Sequence, residues 1–171
     1  MKKALIVFTA MVLSATASFA QQEKGDISLT FGGSYTKTDF MGMGTLFAKG
    51  GYLVTDNIEV GARPQLMLAE GITNVTMGLY GTYNFLTSDA KLVPYAGAEL
   101  TLNSISGDDF DALSRTDFGL YGGAKYFLNE TINIDAGLNY SFNVSNNYGE
   151  GVDVGGVFLF QFGVGFIIGN L

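Results

Sequence analysis

The chain has 171 residues and a formal net charge of −7, with no Cys and no His. That excludes a disulfide framework, thiol chemistry and imidazole-based acid–base or metal chemistry. An acidic chain without basic clusters also lacks the electrostatic footprint of a nucleic-acid binder. With 24 Gly, 14 Phe and 9 Tyr against 2 Pro, the composition suits a β-barrel better than a helical bundle.

The first twenty residues read as a signal peptide. Lys2 and Lys3 precede the apolar run Ala4 to Leu13, and Ser18 and Ala20 supply the small residues of a cleavage site. The apolar run falls short of the ~20 residues of a spanning helix. Residues 1–20 are therefore set apart, and residues 21–171 are expected to form one barrel domain.

Gln21 to Gly25 is a polar lead-in. From Asp26, apolar and polar residues then alternate with the period of a strand, in eight segments. Strand one turns Ile27, Leu29, Phe31 and Tyr35 one way and Asp26, Ser28 and Thr30 the other, and a loop follows from Thr36 to Met43. Strand two, from about Gly44 to Val54, faces Leu46 and Tyr52 out and Lys49 in; a tight turn at Thr55-Asp56-Asn57 leads to strand three, with Ile58, Val60 and Leu66 out and Glu59 and Arg63 in. Pro64 has no N–H to give, so a bulge or a missing ladder bond is expected there.

After a loop at Glu70 to Thr73, strand four faces Val75, Leu79 and Tyr83 out and Thr76 and Tyr80 in. Strand five faces Leu100 and Leu102 out and Tyr95 and Glu99 in. Asn103 to Arg115 is the longest break in the pattern and is expected to be a loop. Strand six carries Leu120 and Tyr126 out and Asp117 and Lys125 in; strand seven carries Leu138 and Tyr140 out and Asp135 in. Strand eight, Val152 to Ile168, presents Phe158, Phe160, Phe162 and Phe166 on one face. An aromatic face this long suits a closed membrane barrel, where lipid meets it and no sheet edge is left open.

Short connections after strands two, four and six alternate with longer ones. Tyr52-Leu53-Val54-Thr55-Asp56-Asn57-Ile58 is echoed by Tyr126-Phe127-Leu128-Asn129-Glu130-Thr131-Ile132, and more loosely from Tyr83. Tyr52, Tyr83 and Tyr126 thus each precede a short turn, as in an aromatic belt at a membrane–water interface.

The signal peptide, the eight alternating strands, Gly51 to Gly61 (GYLVTDNIEVG) and Val93 to Ala98 (VPYAGA) resemble the small outer-membrane β-barrel superfamily of the OmpA/OmpX/OmpW type. The resemblance covers essentially the whole mature chain. It implies an eight-stranded antiparallel up-and-down barrel in the outer membrane of a Gram-negative bacterium. Short turns would face the periplasm and longer loops the exterior. Outer-membrane lipids, lipopolysaccharide and the assembly machinery are the implied partners. Many members end on an aromatic residue; here the sequence ends Ile168-Gly169-Asn170-Leu171, with Phe166 slightly earlier.

The inward positions carry Lys49, Glu59, Arg63, Glu99, Lys125 and Asp135. Opposite charges on so narrow a wall should pair, because an unpaired buried charge is costly. One cluster of Arg63, Glu59 and Glu99 and another of Lys125 and Asp135 are expected, with Lys49 joining either. Glu59 and Glu99 are the one carboxylate pair to weigh as acid and base, but no nucleophile–base constellation accompanies them. Known barrel hydrolases and acyltransferases generally rely on a His. A non-enzyme is expected, without cofactor. The loop acids Asp108, Asp109, Asp111 and Glu150 do not match an EF-hand spacing and read as a solvated loop.

Three functions follow from this pattern. The first is a structural or surface-interaction barrel, working through its longer loops on a ligand the sequence does not name. The second is a narrow porin-like channel, or a path for small hydrophobic molecules. The third is a secreted lipocalin-like binder, which would invert the faces and put Phe158 to Phe166 in the lumen.

Overall fold

Each alternating segment has one apolar and one polar face, and joining the first strand to the last removes both sheet edges. The computed structural model describes residues 22–37, 42–69, 71–86, 91–107, 110–147 and 156–169. Its strands are β1 (Ile27–Lys37), β2 (Gly42–Leu53), β3 (Ile58–Ala69), β4 (Ile72–Asn84), β5 (Leu92–Gly107), β6 (Phe110–Phe127), β7 (Ile132–Asn146) and β8 (Val157–Ile168). They pair antiparallel in chain order, and β1 closes on β8 with Leu29 opposite Phe166 and Phe31 opposite Val164. The expected signal peptide, residues 1–20, lies outside the described residues.

The faces are those read from the alternation. Leu46, Leu79, Leu120, Leu138 and Phe160 stand exposed on the outer wall, while Lys49, Glu59, Arg63, Glu99, Lys125 and Asp135 are buried inside. The lipocalin-like arrangement, with the β8 aromatics in the lumen, is not the one adopted.

Three boundaries differ from expectation. Asn103 to Gly107 and Phe110 to Arg115 are strand, not loop: β5 and β6 run on together to a Gly107–Phe110 pair, with a register shift at Ile105/Gly107. The outward positions there are Ser104, Ser106, Ser114 and Thr116, so the alternation fades while the ladder continues. The β3–β4 connection is tighter than Glu70 to Thr73, because Gly71 takes a left-handed φ of 70° and β4 starts at Ile72. The β1–β2 loop is shorter than Thr36 to Met43, since β1 reaches Lys37 and β2 begins at Gly42. The described part of β8 begins at Val157; residues 151–155 lie outside the described set, as do Asp108, Asp109 and Glu150.

At Pro64 the ladder is interrupted as its missing N–H requires. β2 and β3 pair from Phe47–Gln65 and resume at Gly50–Ala62, so Ala48 and Lys49 have no ladder partner on β3. The two echoed turns share one hydrogen-bond pattern. Val54 N donates to Ile58 O at 2.9 Å and Leu128 N to Ile132 O at 2.8 Å. Thr55 Oγ1 accepts from Ile58 N at 3.0 Å, and Asn129 Oδ1 from Ile132 N at 2.7 Å. A side-chain oxygen that caps the turn is what Thr and Asn supply at that position.

The inner wall alternates large with absent side chains. Gly51 and Gly61 pair across β2–β3 beneath the Tyr80 hydroxyl. A Cβ on Gly61 would lie 2.7 Å from both Gly51 Cα and Tyr80 Oη. Gly61→Ala is expected to destabilise the barrel by ~1–3 kcal/mol, read as a lower urea midpoint in detergent micelles. An unchanged midpoint would show that the backbone there yields freely.

Candidate functional site in the barrel lumen

The lumen is filled in layers. At the short-turn end, Val93, Phe127 and Ile167 form a buried apolar floor with Leu86 packed against it, and Leu53 is buried as well. The lead-in is part of this floor. Gly25 takes φ 99°, Gly25 N donates to Leu53 O at 2.8 Å, and Leu53 N donates to Asp26 O at 2.9 Å. This folds Gln22 beneath the strands, where it is fully buried.

Above the floor lies a charge layer centred on Glu59. Lys125 Nζ donates to Glu59 Oε2 at 2.8 Å and to Gln22 Oε1 at 3.1 Å. Ser28 Oγ and Tyr80 Oη each donate to Glu59 Oε1 at 2.6 Å. Lys49 Nζ is 3.9 Å from the same oxygen and 4.4 Å from the centre of the Tyr80 ring, with Tyr95 and Tyr121 rings at 5.3 and 5.5 Å. A desolvated ammonium against three ring faces gains cation–π stabilisation in addition to its ion pair. Tyr95 Oη donates to Asp135 Oδ1 at 2.5 Å.

The next layer is built on Glu99. Arg63 Nη2 and Asn139 Nδ2 both donate to Glu99 Oε1 at 2.6 Å, and Arg63 Nη1 donates to Gln161 Oε1 at 2.8 Å. Towards the longer loops, Arg115 Nε donates to Asp117 Oδ1 at 2.5 Å, and Asn103 Nδ2 to Asp117 Oδ2 at 3.1 Å.

The pairing therefore differs from the expected clusters. Glu59 joins Lys125 and Lys49 rather than Arg63 and Glu99. Four residues along a strand are ~13 Å, so Glu59 and Arg63 sit in different layers despite sharing a face. Lys125 and Asp135 do stand opposite each other across β6–β7, yet the long Lys125 side chain reaches across the lumen to β3, and Asp135 takes a hydroxyl donor instead. Tyr95→Phe would leave that buried carboxylate without its donor. It is expected to cost ~1.5–3 kcal/mol in micelle unfolding, and a loss below about 0.5 kcal/mol would mean that water replaces the hydroxyl.

Gln22 and Arg115 were not expected in the lumen, and Gln161 and Asn139, on the inward parity of their strands, were not expected as partners of its charges. The three amides carry no charge that calls for a partner, and Arg115 fell in the assumed loop.

Little space is left between the layers. A void of about 20 Å³, room for about one water, lies among Lys49, Arg63, Tyr80, Tyr95, Glu99 and Tyr121. Ser28 Oγ lies against the Glu59 carboxylate, but that carboxylate is already held by two ammonium groups and a phenol. Among the described residues no three acidic side chains gather as a metal site.

On the outside, Phe158, Phe160, Phe162 and Phe166 form a row on β8, 64, 56, 49 and 38% exposed. Tyr52, Tyr83 and Tyr126 are exposed at the short-turn end, where Tyr83 packs edge-on against Phe85 with ring centroids 5.0 Å apart.

No curated protein matches the chain. Among solved structures, the N-terminal β-barrel domain of Pseudomonas aeruginosa OprF is similar at 21% identity and a TM-score of 0.68, covering 86% of this chain and 100% of that one. Neisserial surface protein A is similar at 17% identity and 0.62, covering 84% of this chain and 95% of that one. The outer membrane protein OprG of P. aeruginosa is similar at 14% and 0.62, covering 88% and 99%. At these identities the likeness shows the fold. The family profile described as outer membrane protein beta-barrel domain matches residues 5–166, and the chain belongs to that family.

Proposed function

We infer that the protein is an integral outer-membrane barrel of a Gram-negative cell with a blocked lumen. Its role is structural or surface-interactive, exercised through the loop-side end. It is not an enzyme. The observation that carries this reading is the sealed interior: an apolar floor, the buried Gln22 bonded to Lys125, and a Glu59 charge layer that leaves a void of about 20 Å³. A solute path would have to break buried ion pairs and displace the floor. The export signal at residues 1–20, lipid and lipopolysaccharide around the outer wall, and handling by the assembly machinery belong to the same proposal.

The length of β5 and β6 supports the surface role. At 16 and 18 residues they exceed the ~9–11 needed to cross a bilayer, so their polar ends project past the apolar band. Recording in planar bilayers tests the blocked lumen. No steady conductance is expected from the wild-type chain. A steady conductance that changes in Lys125→Met or Arg63→Met would overturn the reading and favour a narrow channel through those layers.

A further inference from the structure

On the outer wall a groove of about 500 Å³ crosses β1 to β4. The exposed Phe31, Leu46, Leu66 and Val75 line it, together with Ala48 and Pro64. We propose that this groove binds a membrane-dissolved alcohol or phenol, with the apolar body in the groove and the hydroxyl donating to the Ala48 carbonyl.

That carbonyl lacks its ladder donor. Phe47 faces Gln65 and Gly50 faces Ala62, so Ala48 stands opposite Pro64. A Cβ on Gly61 would press on Gly50 O, so the Gly50 carbonyl points at β3. Ala48, two residues away, turns its own the same way. In a bonded antiparallel pair the two residues exchange both N–H···O bonds. Pro64 has no N–H to return, which is why the 48–64 and 49–63 pairs are both missing. Arg63 Nε, on the facing strand, is without any partner, so it does not cap this oxygen either. Phe47, Gln65 and Thr76 turn their side chains to the lumen yet also line the groove, so it is their main chain that the groove touches.

Depth decides what caps the carbonyl. Ala48 is four residues from Tyr52 of the belt, ~10 Å along the membrane normal at a strand tilt of ~40°. Headgroups and bulk water end near the belt, and phospholipid chains carry no donor. A ligand with one donor on an apolar body satisfies both the carbonyl and the lining, and the volume falls within the ~300–1,000 Å³ of small-molecule sites.

The site rests on the membrane-spanning reading; contacts from micelle chains to Leu79 and Leu138 report on that reading separately in the same spectra. The test is NMR of the full chain in phosphocholine micelles, titrated with octanol and with heptyl methyl ether, which matches its size but has no donor. Octanol is expected to move the Ala48 carbonyl carbon downfield, saturably, with amide shifts at Leu46 and Leu66. The ether should bind about tenfold more weakly, as should octanol to Pro64→Ala, whose new N–H caps the carbonyl and gives a protected amide at position 64. If that amide is not protected, the comparison of octanol with ether decides. Equal binding of the ether would overturn the site, as would undiminished octanol binding in Pro64→Ala with a protected amide. So would an Ala48 carbonyl that is hydrogen-bonded before octanol is added, or no saturable shift up to equal moles of octanol and detergent.

Discussion

Glu59→Gln is expected to cost the folded barrel ~3–5 kcal/mol, the range for breaking a buried charge pair by removing one partner. Glu59 is 1% exposed and answers two ammonium groups, Lys125 at 2.8 Å and Lys49 at 3.9 Å, as well as the Ser28 and Tyr80 hydroxyls. The amide is nearly isosteric, so packing is kept while two lysines lose their counter-charge. Removing both sides of the main pair, in Glu59→Leu with Lys125→Met, should cost less than the two single changes added together. The cycle would thus show a coupling of ~1 kcal/mol or more, as expected for side chains in one network. Urea unfolding in detergent micelles reads both quantities. A loss below ~1 kcal/mol for Glu59→Gln would mean that water enters the layer and screens the lysines, and the sealed lumen would fall with it.

The second large effect is on the outer wall. Phe162→Arg is expected to cost ~2–4 kcal/mol in a bilayer, because the residue lies mid-strand on β8, between Gly33 of β1 and Ala136 of β7. Phe158→Arg, nearer the loop end and opposite Tyr140, should cost less, since the penalty falls towards the interface. The comparison is best made as unfolding equilibria of the chain in phospholipid vesicles. Equal, small costs at both positions would show that this face meets water.

Much of this fold is legible in the alternation alone. A period of two assigns each residue to a wall, and parity placed Lys49, Glu59, Arg63, Glu99, Lys125 and Asp135 inside. The echo of Tyr52–Ile58 at Tyr126–Ile132 also had a physical basis, in Thr55 and Asn129 capping equivalent turns. Parity does not say which charges meet across the lumen. That depends on strand tilt and on side-chain reach: Lys125 faces Asp135 in the ladder but bonds to Glu59 on a distant strand. The ends of β5 and β6 were hidden for another reason. Alternation marks a barrel wall where the outward residues are apolar, and at Ser104, Ser106 and Ser114 the outward residues are polar, with Ile105 turned to the lumen, while the ladder continues. Arg115, and with it the Asp117 pair, was lost in that stretch. Gln22 lay in a segment without periodicity, and a backbone turned by Gly25 carries it to a buried position against Lys125.

The absence of Cys makes every introduced thiol unique, so spin labels on β7 test the central claim directly. Ile134, Leu138 and Phe142 lie along its outer face, from the short-turn end towards the loops. With each replaced by a labelled Cys in phospholipid vesicles, collisions with oxygen should exceed those with a water-soluble nickel complex at all three sites. The excess should be greatest at Leu138, the middle of the span. Free access of the nickel complex to Leu138 would contradict a membrane-spanning barrel and leave its apolar wall in need of another partner.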